Sequence, residues 1–428
     1  MEPRWLLIEG RNEAGQVEYA ENRRDRENKM IDRPESDVDL FTTEVMKDPY
    51  PVYRMLRDLG PAVWLTKHQV WCITRYEGVK RVLGDYRTFT TSKGVAMDPA
   101  VNEATSGPGR ANSLTSDPPL HDEIRRVTGA PLTPRALAGI KEQIETTARN
   151  LVDDLCKRRT VDGMVDVAQV LPLTIVSEMV GLPEEGKKSM LRWAAATFNA
   201  MGPMNELGSE ALPQIRELHQ FCINDAVPGK LKADGWADRI YQAAARGEIP
   251  AQQCPGMMRE YIGPSLDTTI FATGHLLRHL GDNPDQWQLL RNNRSLLPGA
   301  INEALRMEAP IRLFSRYVRA ESTFDEIVIP EGARLLVLYA SANRDERKWQ
   351  DPDRFDITRK NGDHVAFGFG IHTCAGMHLA KLEITSLLNA MLDRIARFEV
   401  GEPVISMNNT LRGYDRLPLT IYPAEVAV

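Results

Sequence analysis

The spacing of apolar residues constrains this chain most, because it follows the helical period over much of the length. Apolar residues recur at three- and four-residue intervals, which predicts amphipathic helices, in 137–158, 172–181, 186–201, 209–226, 235–246, 251–281, 283–293, 297–308 and 375–396. Strand-like alternation is confined to a hairpin and four short pieces, namely 62–65 with 70–75, and residues near Tyr317, 327–329, 335–339 and 417–422. The sequence therefore predicts a mainly α fold, with a large helical body and a smaller β-rich region.

The N-terminus and the composition limit the classes of protein to consider. The first 37 residues hold an apolar run too short for a signal sequence or a membrane span, followed by a strongly charged stretch. We expect a polar extension over 1–37 and a single domain over 38–428. The formal charge of -6 gives no general attraction to nucleic acid or anionic lipid, so no nucleic-acid or membrane partner is expected. Five cysteines without paired spacing favour reduced thiols in the cytoplasm.

A polar stretch at 98–119 is rich in proline and glycine. It is too long for a simple connection and too polar for a core element. Long loops of this kind are usually functional or mobile, which is what we expect here.

One cysteine, Cys374, lies in a glycine-rich loop that leads into the predicted helix at 375–396. Flanking glycines let backbone amides approach its sulfur, and the start of a helix favours negative charge, so the thiolate form is favoured. A lone cysteine in such a turn is more often an ordinary buried residue. The wider pattern, Phe-x-x-Gly-x-His-x-Cys-x-Gly over 367–376, favours an iron ligand instead.

This pattern resembles the haem-binding loop of the cytochrome P-450 family, in five typed positions at once. The resemblance extends over nearly the whole chain after about residue 38 and implies the cytochrome P-450 fold. It implies haem b, iron protoporphyrin IX, as cofactor, with Cys374 as the iron ligand and with Phe367 and Gly368 against the haem. The thiolate of such proteins donates electron density that favours O–O cleavage.

Two further motifs are similar to family motifs that surround the haem. Glu303 and Arg306 resemble the Glu-x-x-Arg pair of the K helix, whose side chains meet on one helix face. We expect a structural role for this pair, with Arg344 or Arg354 as the third member. Cationic and polar partners for the haem propionates are implied at His121, Arg125, Arg316 and His372.

Asp267 and Thr268 resemble the acid–alcohol pair of the family's oxygen-activating helix. Splitting dioxygen requires two protons delivered in a dry pocket, so Thr268 is expected to hold the activated oxygen and Asp267 to relay protons. An isolated Asp-Thr can also be a helix cap or a back-bonded threonine. Relatives typically carry Ala-Gly where this chain has Pro264-Ser265, and proline is expected to kink the helix there.

The resemblance is closest to bacterial monooxygenases that demethylate or hydroxylate para-substituted benzoates, through segments 198–207, 341–345, 356–360 and 408–413. It implies a flat apolar slot suited to an aromatic ring, lined by Phe198, Met201, Ile311 and Phe314. The substrate carboxylate is expected near Ser92, Lys93 and Arg259. Glu260 stands where relatives carry serine, and we expect it either to pair with Arg259 or Lys93 or to accept a hydrogen bond from a phenol.

The resemblance also implies partners. Two electrons from NAD(P)H would arrive through a reductase and a ferredoxin, both separate proteins because no flavin or iron–sulfur motif is found. The ferredoxin is expected to dock beside Arg126 and Lys381. Dioxygen and a para-methoxybenzoate-like compound are the expected substrates. An O-demethylase of a neutral methoxyphenol, a peroxide-driven peroxygenase and a haem-thiolate gas sensor stay open as alternatives, although the acid–alcohol pair favours dioxygen activation over the last two.

Overall fold

The computed structural model describes residues 33–107, 109–110 and 112–425, and most of this part of the chain is helical. Its helices are α1 Thr43–Lys47, α2 Tyr50–Leu59, α3 Tyr76–Gly84, α4 Pro99–Thr105, α5 Leu120–Gly129, α6 Pro134–Leu137, α7 Lys141–Arg158, α8 Val170–Val180, α9 Glu184–Ala200, α10 Glu206–Asn224, α11 Trp236–Ala245, α12 Cys254–Ile262, α13 Asp267–Asp282, α14 Pro284–Asn292, α15 Leu297–Met307, α16 Tyr339–Ala342 and α17 Met377–Arg394. The predicted mainly α class is confirmed.

The strands of the same described ranges form a smaller region beside the helices. They are β1 Glu35–Ser36, β2 Ala62–Leu65, β3 Val70–Ile73, β4 Phe89–Thr90, β5 Thr160–Asp162, β6 Leu313–Val318, β7 Ser322–Phe324, β8 Ile327–Ile329, β9 Arg334–Leu338, β10 Ile395–Val400, β11 Val404–Ile405, β12 Tyr414–Arg416 and β13 Pro418–Pro423. Six of them make one sheet in the order β1-β2-β3-β9-β6-β4. The predicted hairpin is its β2–β3 pair, in which Ala62 lies opposite Ile73.

The prediction of one long helix over 251–281 is wrong, because two helices occupy this segment. Helix α12 ends at Ile262 and α13 begins at Asp267. Pro264 has no backbone N–H to donate to the carbonyl of Glu260, and that carbonyl instead accepts a hydrogen bond from the Ser265 hydroxyl at 3.5 Å. The expected kink is therefore a full break of the helix.

The predicted extension over 1–37 needs a correction at its C-terminal end. Residues 1–32 lie outside the described part of the chain. Glu35–Ser36 pairs in parallel with β2, and the carbonyl of Pro34 accepts a hydrogen bond from the backbone N–H of Trp64 at 2.8 Å. The chain thus joins the main sheet before residue 38.

The polar stretch at 98–119 contains more regular structure than expected. Helix α4 occupies its first part, and a 3-10 turn, Ser113–Thr115, follows. The Asp98 side chain caps α4 through the backbone N–H groups of Ala100 and Val101, which is a role that aspartate commonly fills.

A central helical core holds α13 in place. Helix α13 packs against α15, α17, β10 and the π-helical turn Gly163–Ala168. Among the described residues, one helical stretch, Gly163–Val180, is long and apolar enough to cross a membrane by length and composition, and half of it is buried inside the protein. Such burial is what a core helix shows.

The Glu303–Arg306 pair lies at the centre of this core with both side chains 0% exposed. Arg306 donates to Glu303 at 2.8 and 2.9 Å and to the carbonyls of Asn343 and Pro352. The third member is Arg359, whose Nε lies 2.9 Å from Glu303. The prediction of Arg344 or Arg354 was wrong.

Local spacing could not identify this third arginine, because residues 343–359 form an irregular segment whose side-chain directions follow no period. Arg344 pairs with Glu308 and Asp353 instead. Arg354 contributes only its backbone carbonyl, 3.5 Å from Arg306 Nη2.

Replacing Glu303 with glutamine is predicted to destabilise the protein by about 3–5 kcal/mol, because Arg306 would keep its charge in the core without a counter-ion. The free energy of unfolding in urea measures this. Glu217→Gln is the matched control, since its partner Arg192 is 46% exposed, and we expect a loss below about 1 kcal/mol. Equal losses in the two variants would show that the buried network does not stabilise the core.

Candidate active site

A cavity of about 590 Å³ lies inside the protein where the cysteine loop meets the break between α12 and α13. Cys374 and Gly368 line it from the loop, and Thr268, Thr269 and Ala272 line it from α13. The expected iron ligand and the expected oxygen-binding threonine therefore share one cavity.

The cysteine loop owes its shape to two glycines. Gly368 and Gly370 both have φ of +73°, which side chains disfavour. A Cβ on Gly370 would also lie 2.7 Å from the carbonyl oxygen of Leu83, so this position requires glycine for space as well as for conformation. The backbone N–H of Cys374 donates to the carbonyl of Phe367 at 2.8 Å, which closes the loop.

The sulfur of Cys374 lies beside the start of α17. Burial raises the pKa of the thiol, whereas hydrogen bonds from the backbone N–H groups of Gly376 and Met377 and the charge of Arg125 act to lower this pKa. Two amide donors at a helix start are the arrangement that suits a metal-bound thiolate. Arg125 also donates to the carbonyl of Thr373.

The expected propionate partners gather on one side of the cavity. Arg125, Arg316 and His372 line it, and the ring of His121 lies edge-on to that of His372 at 4.9 Å. His121 Nε2 is buried and has no hydrogen-bond partner among the described residues. Buried polar atoms are normally paired, so this donor set fits a group that brings its own carboxylates.

Phe367 and Gly368 line the cavity together with Cys374 and would contact a haem held there. Within the described ranges, no three His, Cys, Asp or Glu side chains lie close enough together to hold a metal ion.

The break in the helix sets the position of the acid–alcohol pair. The Thr268 hydroxyl donates to the carbonyl of Pro264 at 3.0 Å, so its lone pairs are available to a group in the cavity. Asp267 is 7% exposed and does not itself line the cavity, and burial raises its pKa to about 7. A carboxyl that titrates near neutral pH is suited to hold and release a proton.

The expected apolar residues all line the cavity, as Phe198, Met201, Ile311 and Phe314. The rings of Phe198 and Phe314 are parallel within 7°, with centroids 6.4 Å apart. Parallel rings give the cavity wall flat surfaces that suit a planar ligand.

Of the three expected carboxylate-binding residues, only Arg259 lines the cavity. It donates to the backbone carbonyls of Arg110 and Thr105, and its buried Nε has no partner among the described residues. The placement of Ser92 and Lys93 was wrong. Ser92 accepts a hydrogen bond from Arg319 at 2.8 Å, and Lys93 is exposed.

Glu260 lines the cavity, but the expected pairing with Arg259 or Lys93 is wrong. Its carboxylate accepts hydrogen bonds from the backbone N–H and hydroxyl of Ser113 and from the hydroxyl of Thr128. Burial raises the pKa of Glu260, and these hydrogen bonds act to lower it. Three donors already occupy this carboxylate.

Sequence reasoning missed Ser113, Thr128 and the cavity face of α10. Leu212, Arg216 and His219 all line the cavity from that helix. Their spacing of four and three residues is the signal that marks one helix face, although it does not reveal which neighbour the face meets.

Comparisons with known proteins agree with this geometry. The Cytochrome P450 family model matches residues 274–413. Cytochrome p450 CYP199A2 from Rhodopseudomonas palustris is 34% identical over 395 residues, covering 91% of this chain and 95% of that protein. Cytochrome P450 107B1 from Saccharopolyspora erythraea is 31% identical, covering 82% of this chain and 88% of that one. The structure of Mycobacterium marinum cytochrome P450 CYP268A2 in complex with pseudoionone superposes with a TM-score of 0.80 at 25% identity, covering 92% of this chain and 100% of that one.

Replacing Asp267 with asparagine is predicted to stabilise the protein increasingly as the pH rises. Below the ordinary aspartate pKa of 3.8 both folded and unfolded states hold the proton; between 3.8 and about 7 only the folded state does. The contribution of Asp267 to the free energy of unfolding of the wild type therefore falls by about 1.4 kcal/mol for each pH unit between pH 3.8 and about 7.

Denaturant unfolding of wild type and Asp267→Asn across the window from about pH 4 to pH 7 measures this difference. Asp285→Asn, which removes an exposed carboxylate from α14, is the control for losing one negative charge. A stability difference between wild type and Asp267→Asn that is constant with pH would show that Asp267 is not held protonated by burial.

Proposed function

The chain belongs to the cytochrome P450 family, and from this premise we propose that it O-demethylates or hydroxylates a small para-substituted aromatic acid, with para-methoxybenzoate as the model substrate. As a P450 it is a haem b monooxygenase. The observation that carries the substrate proposal is the arrangement of one cavity, in which Cys374 and Thr268 share apolar walls with a buried, incompletely paired Arg259.

When bound, a haem would supply the reductive activation of dioxygen, in which two electrons and two protons are consumed, one oxygen atom enters the substrate and the other leaves as water. The protein's residues would hold it through Cys374, with the propionates at His121, Arg125, Arg316 and His372. The four groups supply cationic or polar donors to two carboxylates, which supports this assignment.

Thr268 and Asp267 are proposed to manage protons. With its own proton donated to the Pro264 carbonyl, the Thr268 oxygen can accept a hydrogen bond from an O–H group or a water in the cavity. Asp267, with its pKa near 7, can gain and lose a proton at working pH. The apolar walls exclude bulk water and so limit unproductive proton entry.

The substrate is proposed to lie flat between the aromatic residues of the wall, with its carboxylate toward Arg259 and its para substituent toward Cys374. Phe198, Met201, Ile311 and Phe314 would contact the ring. For a methoxy substituent, one C–H bond of the methyl group becomes C–OH, and the resulting hemiacetal releases formaldehyde and leaves a phenol. A neutral methoxyphenol is the alternative, and Glu260, with three donors in place, offers such a phenol little acceptor capacity.

Electron supply is proposed to come from NAD(P)H through a reductase and a ferredoxin, with the reaction in the cytoplasm and residues 38–428 as one catalytic domain. Two positive side chains, the exposed Arg126 and the half-buried Lys381, support an acidic partner. Arg126 is 56% exposed, although it also pairs with Glu248 at 2.6 Å, and Lys381 lies over the Phe367 ring. Charge complementarity of this kind steers encounter more than it adds affinity.

We predict that the purified protein forms formaldehyde when it is supplied with NADH, reductase, ferredoxin, air and 4-methoxybenzoate. The Thr268→Ala variant is predicted to form at least about tenfold less formaldehyde per NADH consumed, because a positioned proton-transfer group contributes on the order of 10²–10⁴ in rate. Thr268→Ser keeps the hydroxyl and should retain the yield. Hydrogen peroxide alone should support little turnover. Equal activity with peroxide alone, unaffected by Thr268→Ala, would favour the peroxygenase instead.

Arg259→Gln is predicted to weaken binding of 4-methoxybenzoate by roughly 10–100-fold, the size expected for losing a hydrogen bond to a charged group, while binding of the neutral 4-methylanisole changes little. The low-spin to high-spin Soret shift reports both affinities. Lys93→Gln, an exposed residue outside the cavity, is the matched control and should leave both unchanged. Equal weakening of the two ligands by Arg259→Gln would contradict a carboxylate at this position.

A further inference from the structure

The carboxylate of Glu260 connects three parts of the cavity wall. It projects from the last turn of α12 and accepts hydrogen bonds from Ser113, in the turn Ser113–Thr115, and from Thr128 on α5. The Ser113 hydroxyl lies 3.0 Å and the Thr128 hydroxyl 2.9 Å from Oε2, and the Ser113 backbone N–H donates to Oε1. All three residues line the cavity.

The turn that Glu260 holds is a firm unit in itself. Asn112 and Thr115 exchange side-chain to backbone hydrogen bonds at 3.0 and 3.1 Å, and the Ser116 hydroxyl donates to the carbonyl of Asn112 at 2.7 Å. These hydrogen bonds fix the shape of the turn, and its contacts with the rest of the cavity wall fix its position.

Ser113 is the point at which the turn is attached to α12. Its backbone N–H and its hydroxyl both donate to the carboxylate of Glu260. Without Glu260, the N–H of Ser113 would lose its acceptor.

The same contacts determine which donors the cavity offers to a ligand. The hydroxyls of Ser113 and Thr128 each have one proton to donate. The Ser113 hydroxyl directs its proton at Glu260, and the Thr128 hydroxyl lies within hydrogen-bond distance of both Glu260 at 2.9 Å and the carbonyl of Ile124 at 3.1 Å. Arg259, the neighbour of Glu260 in sequence, has a buried Nε without a partner among the described residues. An anion in the cavity can therefore gain a donor from Arg259 but not from these two hydroxyls.

We propose that Glu260 is a positioning residue that fixes the Ser113–Thr115 turn over the substrate pocket and withholds the Ser113 hydroxyl from the substrate. This makes Glu260 a determinant of specificity, because it leaves Arg259 as the main anchor for the substrate's polar end. The inference rests on the proposed function, since it concerns the pocket that the function assigns to an aromatic acid.

The first test needs no substrate. Amide hydrogen exchange of the haem-loaded protein is expected to show the Ser113 amide protected in the wild type and exchanging roughly 10–100-fold faster in Glu260→Ala, because a hydrogen bond to a charged acceptor is lost. Glu260→Gln keeps an acceptor oxygen and should retain most of the protection. Glu248→Ala, which removes a partly exposed carboxylate near α5, is the control. Unchanged exchange at Ser113 in Glu260→Ala overturns the anchoring role.

The second test measures the ratio of affinities for 4-methoxybenzoate and 4-methylanisole. In Glu260→Ala this ratio is expected to rise roughly tenfold in favour of the acid, since the Ser113 hydroxyl is released as a donor to the carboxylate. Ser113→Ala should leave the ratio unchanged in the wild-type background and should remove the gain in the Glu260→Ala background. A ratio that does not rise in Glu260→Ala overturns the withholding role.

A lower affinity of Ser113→Ala for 4-methoxybenzoate would also overturn the withholding role, because the Ser113 hydroxyl of the wild type would then be binding the substrate. This measurement tests the proposal even if Glu260→Ala does not fold. Failure of the proposed function looks different. If neither ligand shifts the Soret band of the wild type, the aromatic-acid proposal fails, while the exchange experiment still decides whether Glu260 anchors the turn.

Discussion

The position of one sulfur atom governs the arrangement of the whole site. Cys374 lies where two backbone N–H groups at the start of α17 reach its Sγ, and the loop before it can pass α3 only because Gly370 lacks a Cβ. Helix α17 in turn packs on α15, which carries the buried Glu303–Arg306 pair. A charge pair in the core, a glycine loop and a helix start together place the Cys374 side chain on the wall of an apolar cavity.

Buried charged residues that are fully paired have a structural role here, whereas those that are incompletely paired lie at the proposed site. Glu303 and Arg306 satisfy each other within 2.9 Å, as expected for ions in a protein interior. Arg259 instead donates to backbone carbonyls and keeps a buried Nε unpaired among the described residues. Asp267 shows a pKa near 7 because its burial is not compensated. These two exceptions lie at the places where the proposed function needs an anion anchor and a proton relay.

Helical periodicity predicted the mainly helical body, and the cysteine motif with the family resemblance predicted residues that share one cavity, since core-facing stripes and short motifs are encoded locally. Other features depend on contacts between distant segments. Ser92 follows the short strand β4 and turns toward Arg319, so proximity in sequence to a pocket loop did not give its direction. Glu260 was expected beside Arg259, but adjacent helix positions point in different directions, and its partners lie about 130 to 150 residues away in the chain. Pro264 indicated a disturbed helix, yet the extent of the break depended on how Ser265 and Thr268 capped the freed carbonyls.

Ligation of iron by the Cys374 thiolate is the claim on which the cavity, the proton-handling residues and the substrate proposals all depend. The most direct measurement is the absorption spectrum of the reduced, carbon-monoxide-bound protein in wild type, in Cys374→Ser and in the control Cys254→Ser, which alters a cysteine buried in the helical core. Wild type and Cys254→Ser are predicted to absorb near the wavelength that gives the family its name, because thiolate donation shifts the Soret band, and Cys374→Ser is predicted to lose that band. A Cys374→Ser protein that binds haem and keeps the band would contradict the assignment of Cys374 as the ligand.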